Sequence, residues 1–320
     1  MNDIATMPLA MMRVQARLMS SQKHLCAKAN SLVELKGILG DARKAGRTVG
    51  FVPTMGGLHS GHGQLVKASS TAGHFTVASV FVNPAQFGPN EDFAAYPRTE
   101  EADFALAQDA GADVVWYPRV EELYPFGKGQ VGSDVGGMLV DPGALGRILC
   151  GSSRPDFFPG ICTVVLKFLT AVLPDQAYFG EKDWQQLALI RRLSKDFLLD
   201  TEVTGIPTQR EDDGLAMSTR NKYLRAEDRP VALSLVGALR LAHKEFLGER
   251  RSVAACQELL ASHWPDRLEV DYADFRDGDT LQLVDVMDSN TRLFLATWLD
   301  VPQPSGKTVR VRLIDNGSVA

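Results

Sequence analysis

The sequence predicts a doubly wound parallel α/β domain, Rossmann-like, followed by a smaller α+β C-terminal domain. Short apolar runs alternate with helical patterns through the first two thirds of the 320 residues, and this alternation favours a parallel sheet covered by helices. The run Phe75–Val82 is almost entirely apolar, as expected of a strand buried on both faces. After Pro207 the alternation stops, and helices and strands come in separate blocks, which indicates a second domain.

The predicted elements follow one another without repeats or low-complexity segments. The first-domain strands are predicted at Thr48–Val52, Phe75–Val82, Val114–Tyr117, Gln176–Phe179 and Glu202–Ile206. Its helices are predicted at His62–Ala72, Glu100–Ala110, Gly160–Leu173 and Asp183–Phe197. In the second domain we predict helices at Pro230–Leu247 and Ser252–His263, and strands at Glu269–Phe275, Thr291–Trp298 and Val309–Ile314. The predicted boundaries are 1–27 for an N-terminal extension, 28–207 for the first domain and 208–320 for the second.

The composition is that of an ordinary globular protein, with 45% hydrophobic residues, 23% charged residues and a formal net charge of -5. This charge gives no general attraction to nucleic acid or to anionic membranes, so we expect neither as a partner. No apolar run reaches the ~18 residues of a transmembrane helix. The four cysteines lie far apart without CxxC spacing, which predicts neither a zinc site nor a disulfide framework.

The extension at 1–27 contains five methionines and several cations, with Asp3 as its only acid. A transit peptide has such a composition. The alternatives are a disordered extension or a true start at Met19, since terminal disorder is common. We expect a disordered extension and a cytoplasmic protein.

The strongest functional signal is the segment PTMGGLHSGH, which follows the first predicted strand. Its two adjacent glycines permit unusual dihedral angles and a close approach of backbone to ligand. The helix that begins near His62 has unpaired amides at its N-terminus, a favourable site for an anion. His59 and His62 add donors that suit phosphate oxygens. The candidate residues of this phosphate loop are Met55, Gly56, Gly57, Leu58, His59, Ser60, Gly61 and His62.

Two other interpretations of this segment are weaker. A helix entry with two solvated histidines does not explain the double glycine after an apolar strand. A metal site lacks an accompanying carboxylate or thiol. The segment resembles the HIGH signature of the nucleotidylyltransferase superfamily, which includes the class I aminoacyl-tRNA synthetases. That resemblance implies ATP as a substrate and attack at its α-phosphate.

Three further segments resemble the pantothenate synthetase family, and the resemblance covers nearly all of the chain after about residue 30. They are FVNPAQF with YPRT after it, FGEKDWQQL, and GLAMSTRN. The amides of Asn83 and Gln86 in the first segment can hold a hydroxyl and a carboxylate at once. The third segment resembles the family's M/L-S-S-R-N loop, with Thr219 in place of the usual serine.

The resemblance implies a role for each matching residue. Gln86, Gln186 and Asn83 are the predicted pantoate and β-alanine site. Besides the phosphate loop, the predicted ATP-binding residues are Gly180, Glu181, Lys182, Asp183, Gln209, Met217, Ser218, Thr219 and Arg220. The predicted catalytic residues are His62, His59, Lys182 and Arg220, and the family's proton donor matches His62. We expect Mg²⁺ on the ATP phosphates, near Asp103 or Asp183, without a certain protein ligand.

One departure from the family pattern is Phe157, which stands where the family often has histidine in Arg-Pro-x-His-Phe-x-Gly. ATP affinity is expected to drop if that position binds phosphate, and little is expected to change if it only packs the loop. Arg154 of the same motif is retained, and we expect it to face a phosphate.

The resemblance implies ATP-dependent condensation of (R)-pantoate with β-alanine through a pantoyl-adenylate, with release of AMP and pyrophosphate, by a cytoplasmic homodimer. The first alternative is a related nucleotidylyltransferase with a phosphorylated acceptor, which should carry basic residues where Asn83, Gln86 and Gln186 lie. The second is a non-catalytic nucleotide-binding module, whose motifs should be broken, whereas the histidines, Lys182 and Arg220 are intact here.

Overall fold

The N-terminal part of the molecule is built on a six-stranded sheet. The computed structural model describes residues 25–88, 93–127, 137–303 and 306–320. The strands are β1 Ala27–Ala29, β2 Val49–Thr54, β3 Phe75–Val80, β4 Val114–Trp116, β5 Gln176–Gly180 and β6 Glu202–Ile206. Their order across the sheet is β1-β4-β3-β2-β5-β6, and all neighbours are parallel. The chain passes from β2 towards one edge and later returns to place β5 on the other side of β2, so the topological switch point lies between β2 and β5.

Helices cover both faces of this sheet. They are α1 Leu32–Lys44, α2 Ser60–Thr71, α3 Glu100–Asp109, α4 Val120–Leu123, α5 Cys150–Ser153, α6 Phe157–Val172 and α7 Trp184–Asp196. Residues of α1, α6 and α7 pack in one apolar cluster with alternate residues of the strands. Residues of α2 and α3 pack in a second cluster on the opposite face. The central strands are therefore buried on both sides, which is why their sequences are almost entirely apolar.

The centre of the larger cluster is aromatic. The ring of Phe168 on α6 makes edge contacts with Phe51 of β2 and Trp116 of β4, with centroid distances of 5.8 and 5.4 Å. Helix α6 is buried along most of its length, which accounts for its unusually apolar sequence. This helix carries Gly160 against the turn Pro84–Gln86, which follows β3.

The C-terminal part is an antiparallel sheet with helices on one side. Its helices are α8 Arg229–Ala232, α9 Ser234–Leu247 and α10 Val253–Ala261, and its strands are β7 Leu268–Asp277, β8 Thr291–Pro302 and β9 Thr308–Ser318. The strand order is β7-β8-β9, and both pairs are antiparallel. Residues of α9, α10 and the sheet share a separate apolar cluster. The predicted fold class is confirmed for both parts.

Four of these elements were not predicted: the short strand β1, the helix α1 and the four-residue helices α4 and α5. Strand β1 has the sequence Ala-Lys-Ala, which is too short and too small to give an apolar run. Helix α1 had a usable signal, since Ser31 caps it by accepting a hydrogen bond from the amide of Glu34. Ala27, assigned to the N-terminal extension, belongs to β1, whereas residues 1–24 of that predicted extension lie outside the described residues. Among the helices of the described segments, none combines the length and apolar character needed to cross a membrane.

Candidate active site

The site is a cavity of about 710 Å³ at the carboxyl ends of β2 and β5, between the six-stranded sheet and the C-terminal part. This is the edge at which open α/β sheets bind ligands, next to the switch point. Fourteen of the residues predicted from the sequence line it: Met55, His59, Gly61, His62, Gln86, Gly180, Lys182, Asp183, Gln186, Gln209, Met217, Ser218, Thr219 and Arg220. Seven predicted residues are not among its lining residues: Gly56, Gly57, Leu58, Ser60, Asn83, Asp103 and Glu181.

The two glycines of the phosphate loop allow its backbone to pack against a buried carboxylate. Gly56 and Gly57 have φ angles of 83° and 61°, which favour glycine. The amides of Gly57 and Leu58 donate hydrogen bonds to the carboxylate of Asp103, at 3.0 and 2.7 Å. A Cβ on Gly56 would lie 3.0 Å from that carboxylate. The backbone of the loop therefore approaches Asp103 closely, where a close approach to a ligand was expected. The amides of Gly57 and Leu58 are already hydrogen-bonded to this carboxylate before any ligand binds.

Asp103 is buried, with 1% of its surface exposed. Its carboxylate also accepts a hydrogen bond from the hydroxyl of Thr99, at 3.1 Å. A carboxylate with three donors and no exposed face is not positioned to bind a cation in the cavity. Of the two acids considered for magnesium, Asp183 lines the cavity and Asp103 holds the loop behind it.

His59 and His62 form a capping box at the start of α2. Nδ1 of His59 accepts from the amide of Gly61 at 3.1 Å, and Nδ1 of His62 accepts from the amide of His59 at 3.3 Å. Since an amide N–H can only donate, both Nδ1 atoms are unprotonated and the ring proton of each neutral imidazole lies on Nε2. The two ring centroids are 4.1 Å apart.

Both histidines are held in the neutral form. Burial lowers the pKa of His62 to about 3, with smaller contributions from His59 and Lys182. Burial and the charge of Lys182 also lower the pKa of His59. The pair therefore offers two neutral N–H donors to the cavity. Donation of a full proton by His62 would require an imidazolium that this environment disfavours, so the geometry favours hydrogen-bond donation.

The loop after β5 carries Lys182 into the cavity with the support of the C-terminal sheet. Lys182 lies in the short turn Glu181–Asp183, and its ammonium is 3.7 Å from the carboxylate of Asp183. The side-chain amide of Asn316 on β9 donates to the carbonyl oxygens of Glu181 and Lys182, at 3.0 and 2.7 Å. Sequence reasoning missed Asn316, because no local motif marks a contact between residues that are 134 positions apart in the chain.

The segment with Ser218, Thr219 and Arg220 lies beside the phosphate loop, and the hydroxyl of Ser60 at the start of α2 is 3.0 Å from the sulfur of the preceding Met217. Ser218 caps a short helical turn by accepting from the amide of Arg220, at 3.2 Å. Asn221 donates to Glu211 at 2.6 Å and to the carbonyl of Ala216 at 3.0 Å. Asn221 was part of the recognised motif without an assigned role, and the structure shows that it closes this loop.

An ion-pair network anchors the same loop to the C-terminal part. Arg229 contacts Glu211 and Asp213, at 2.7 and 2.6 Å. Arg210 forms a two-pronged pair with Asp315 of β9, at 2.7 and 3.0 Å. Bidentate geometry and the burial of Asp315 make this pair more specific than an ordinary surface contact.

Another part of the cavity wall contains neutral side-chain amides and an arginine that stacks on a phenylalanine ring. Gln86 and Gln186 both line the cavity, whereas Asn83 is 1% exposed and lies behind Gln86. The guanidinium of Arg154 lies 3.5 Å from the ring centroid of Phe157, and both residues line the cavity. Phe157 therefore packs against the cation on the cavity wall.

The C-terminal sheet adds residues that had no sequence signal. Trp298, Arg310 and Arg312 line the same cavity. Arg310 and Arg312 both lie over the ring of Trp298, at 5.1 and 5.6 Å from its centroid. Their positions depend on the register of β8 and β9, so only the tertiary structure brings them to the site.

The chain is similar to proteins of one family over most of its length. A family model described as pantoate-beta-alanine ligase matches residues 27–318. A pantothenate synthetase of Geobacter sulfurreducens is 43% identical over 289 residues, which cover 90% of this chain and 96% of the relative. A crystal structure of a pantothenate synthetase from Thermus thermophilus is 37% identical with a TM-score of 0.79, and the match covers 92% of this chain and 99% of that chain. A crystal structure of a Francisella tularensis pantoate-beta-alanine ligase, complexed with beta-gamma ATP and beta-alanine, is 32% identical with a TM-score of 0.69. That match covers 92% of this chain and 98% of that chain.

We expect Asp103→Asn to lower the free energy of unfolding by about 1–3 kcal/mol. The new amide group would place an N–H against a loop amide and leave a buried donor without an acceptor. Urea unfolding measures the change. Asp109→Asn, at an exposed position of the same helix, is the matched control and should unfold like the wild type. Equal stability of the two variants would show that the carboxylate does not hold the loop.

Stability should also depend on pH through His62. Its pKa in the folded protein is below its unfolded value, so the unfolded chain binds the extra proton and stability falls as pH decreases from about 6.5 towards 3. Between pH 8 and pH 5 we expect wild type to lose about 1–2 kcal/mol more than His62→Gln. Glutamine can still accept the capping hydrogen bond and does not titrate. Parallel pH profiles of unfolding for the two proteins would contradict the assignment.

Proposed function

This chain belongs to the pantoate–β-alanine ligase family, and we propose that it joins (R)-pantoate to β-alanine in an ATP-dependent reaction that passes through pantoyl-adenylate and releases AMP and pyrophosphate. The observation that carries the proposal is the composition of one cavity. Phosphate-binding donors (His59, His62 and Lys182) share this cavity with the neutral amides of Gln86 and Gln186. The first group suits a triphosphate, and the second suits a hydroxy acid.

In the first step the carboxylate of pantoate attacks the α-phosphate in line, and pyrophosphate leaves. Phosphoryl chemistry of this kind depends on positioning and on stabilisation of charge. We assign the Nε2–H groups of His59 and His62, the ammonium of Lys182 and the guanidinium of Arg220 to the phosphate oxygens. The neutral histidines supply directed hydrogen bonds, and the cations balance the charge of the leaving pyrophosphate.

In the second step the amine of β-alanine attacks the acyl carbon of pantoyl-adenylate, the carbon–nitrogen bond forms and AMP leaves. No side chain has to become acylated, because the adenylate is itself the activated acid. We propose that Gln86 contacts both pantoate and β-alanine, as the family resemblance implies. Arg154 lines the same cavity, and we propose that its cation faces a phosphate group.

Magnesium fits this site as a companion of the ATP phosphates. In the described residues there is no group of three or more acidic, histidine or cysteine side chains that could hold a metal, and Asp183 is an acid on the cavity wall. Mg²⁺ commonly takes one or two carboxylates and substrate phosphates as ligands. When bound, it would neutralise phosphate charge, and Asp183 would be its protein ligand.

The division at 207–208, the cytoplasmic location and the homodimer remain proposals. The division is supported by the separate apolar clusters of the two parts. We propose that residues 208–320 act as a lid, because Asn316 of β9 braces the turn with Lys182 and Arg229 of α8 braces the loop with Arg220 through Glu211. Sedimentation of the purified protein tests the homodimer.

A transferase with a phosphorylated acceptor is less consistent with this site. Its acceptor pocket should be basic where Asn83, Gln86 and Gln186 lie, and these residues are uncharged amides. A non-catalytic module is also disfavoured, because the two histidines, Lys182 and Arg220 converge on a single cavity.

The adenylate step gives the sharpest test. Labelled pyrophosphate should enter ATP when pantoate is present and β-alanine is absent, because attack at the α-phosphate is reversible while the adenylate stays bound. Exchange that requires β-alanine would contradict the order of the steps. Absence of pantoate-stimulated exchange would refute the proposed function.

The role of Gln186 can be tested in the same assay. We expect Gln186→Ala to raise the pantoate concentration required for exchange about ten- to a hundredfold, since hydrogen bonds to charged groups are worth ~1.5–3 kcal/mol. The ATP requirement should change much less. Gln64→Ala, at an exposed position of α2, is the control and should leave both requirements unchanged. Equal effects on pantoate and ATP would show that Gln186 does not bind the acid specifically.

A further inference from the structure

The direction of the Gln86 side-chain amide decides what this residue offers to the cavity. An amide group presents either an oxygen acceptor or two N–H donors, and the two orientations have nearly the same shape. Only the surrounding hydrogen bonds can distinguish them. Gln86 is 7% exposed, so its orientation is set by the protein.

The chain of constraints begins at Asn83, which lies between two backbone groups of fixed polarity. The amide of Ala85 must donate, so the atom 3.2 Å from it is the oxygen of Asn83. The carbonyl of Gly160 must accept, so the atom 3.2 Å from it is the nitrogen. The opposite orientation would place two donors together and two acceptors together.

Gly160 allows this contact because it has no side chain. A Cβ at this position would lie 2.3 Å from the carbonyl oxygen of Ala85 and 2.7 Å from the amide nitrogen of Gln86. The backbone of α6 therefore approaches the turn Pro84–Gln86 closely enough for its carbonyl to fix Asn83.

The orientation of Asn83 then determines that of Gln86. The second N–H of Asn83 donates to Gln86 at 3.0 Å, and this partner must be the oxygen Oε1. The Nε2 group of Gln86 consequently points the other way. One of its donors is directed at the sulfur of Met55, which lies 2.8 Å away. The other is left for an acceptor in the cavity.

Tyr124 completes the arrangement. Its hydroxyl lies 2.7 Å from the oxygen of Asn83 and donates to it, so that all four hydrogen-bonding positions of Asn83 are filled. Tyr124 is buried, with 5% exposure. The ammonium of Lys167 lies 4.2 Å from the centre of its ring and donates to the carbonyl of Leu123, which holds the ring in place.

We propose that Tyr124 is a positioning residue which, through Asn83, holds Gln86 with its N–H group facing the substrate. The acid in the cavity must then supply an acceptor oxygen, as a carboxylate or hydroxyl does. This inference rests on the proposed function and deepens it. The side-chain amide of Gln86 in the turn Pro84–Gln86 therefore has a fixed orientation towards the substrate, and residues that do not touch the substrate set this orientation.

Tyr124→Phe tests the positioning role. Loss of one hydrogen bond on Asn83 should loosen Gln86 and raise KM for pantoate about fivefold, with KM for ATP unchanged. Tyr178→Phe is the matched control, because Tyr178 is also buried and donates to a side-chain amide oxygen, that of Gln176 at 2.6 Å. It should change neither constant. If Tyr124→Phe behaves like the control, or if both constants rise together, the positioning role is refuted.

Gln86→Glu tests the polarity itself. A carboxylate keeps the shape and accepts the bond from Asn83, but it replaces the cavity-facing N–H by oxygen. KM for pantoate should rise more than tenfold at pH 8 and fall again as pH decreases towards 5, because a protonated carboxyl can donate. Gln64→Glu should show no such recovery. Normal pantoate binding by Gln86→Glu at pH 8 would show that the amide oxygen faces the cavity.

The two proposals fail in different ways. A wild-type protein without pantoate-stimulated exchange refutes the function, and the inference with it. A wild-type protein that exchanges normally, with a silent Tyr124→Phe variant, refutes only the positioning role.

Discussion

The active site depends on the carboxylate of Asp103, which accepts hydrogen bonds from the amides of Gly57 and Leu58. This interaction turns the chain at the end of β2 and fixes the start of α2. His59 and His62 can then cap the helix with their Nδ1 atoms, and the same bonds leave Nε2–H on each ring. One buried carboxylate thus determines the backbone of the loop, the histidine tautomers and the direction of two donors. A glycine pair is required because both positions have positive φ and one lies against the carboxylate itself.

Charge at the site comes from elements other than this loop. The histidines are neutral, since burial lowers the pKa of both. Lys182 enters from the β5 side of the switch point, and its turn is fixed by Asn316 of the C-terminal sheet. The loop with Arg220 is closed by Asn221 and braced by Arg229 through Glu211. Movement of the C-terminal part would therefore move these loops relative to the histidines, which is why we propose that it acts as a lid.

Local sequence signals predicted the fold class and the motifs whose residues line the cavity, because each depends on residues that are close in the chain. The apolar runs gave the strands, and the histidine pair, Lys182 and Arg220 could be recognised from their motifs. Asn316 and Trp298 could not be predicted, since the pairing register of β8 and β9 brings them to the cavity. The hydrogen bonds of Asp103 could not be predicted for a related reason. An acid on a helix gives no sequence signal that distinguishes a carboxylate bonded to backbone amides from one that faces a cation.

Asn83 and Phe157 show why residue type alone does not establish a contact with substrate. An asparagine in a recognised motif suggests direct recognition, yet all the hydrogen-bonding positions of Asn83 are occupied by protein groups. Its effect on the substrate is transmitted through Gln86. Phe157 stands where the family often has histidine. Phenylalanine lacks the hydrogen-bonding group of histidine, but the face of its ring lies against the guanidinium of Arg154 and attracts that cation. A charged histidine there would repel the same guanidinium. Phenylalanine in place of histidine therefore removes a hydrogen-bond donor from the cavity wall, while the guanidinium of Arg154 stays beside the ring.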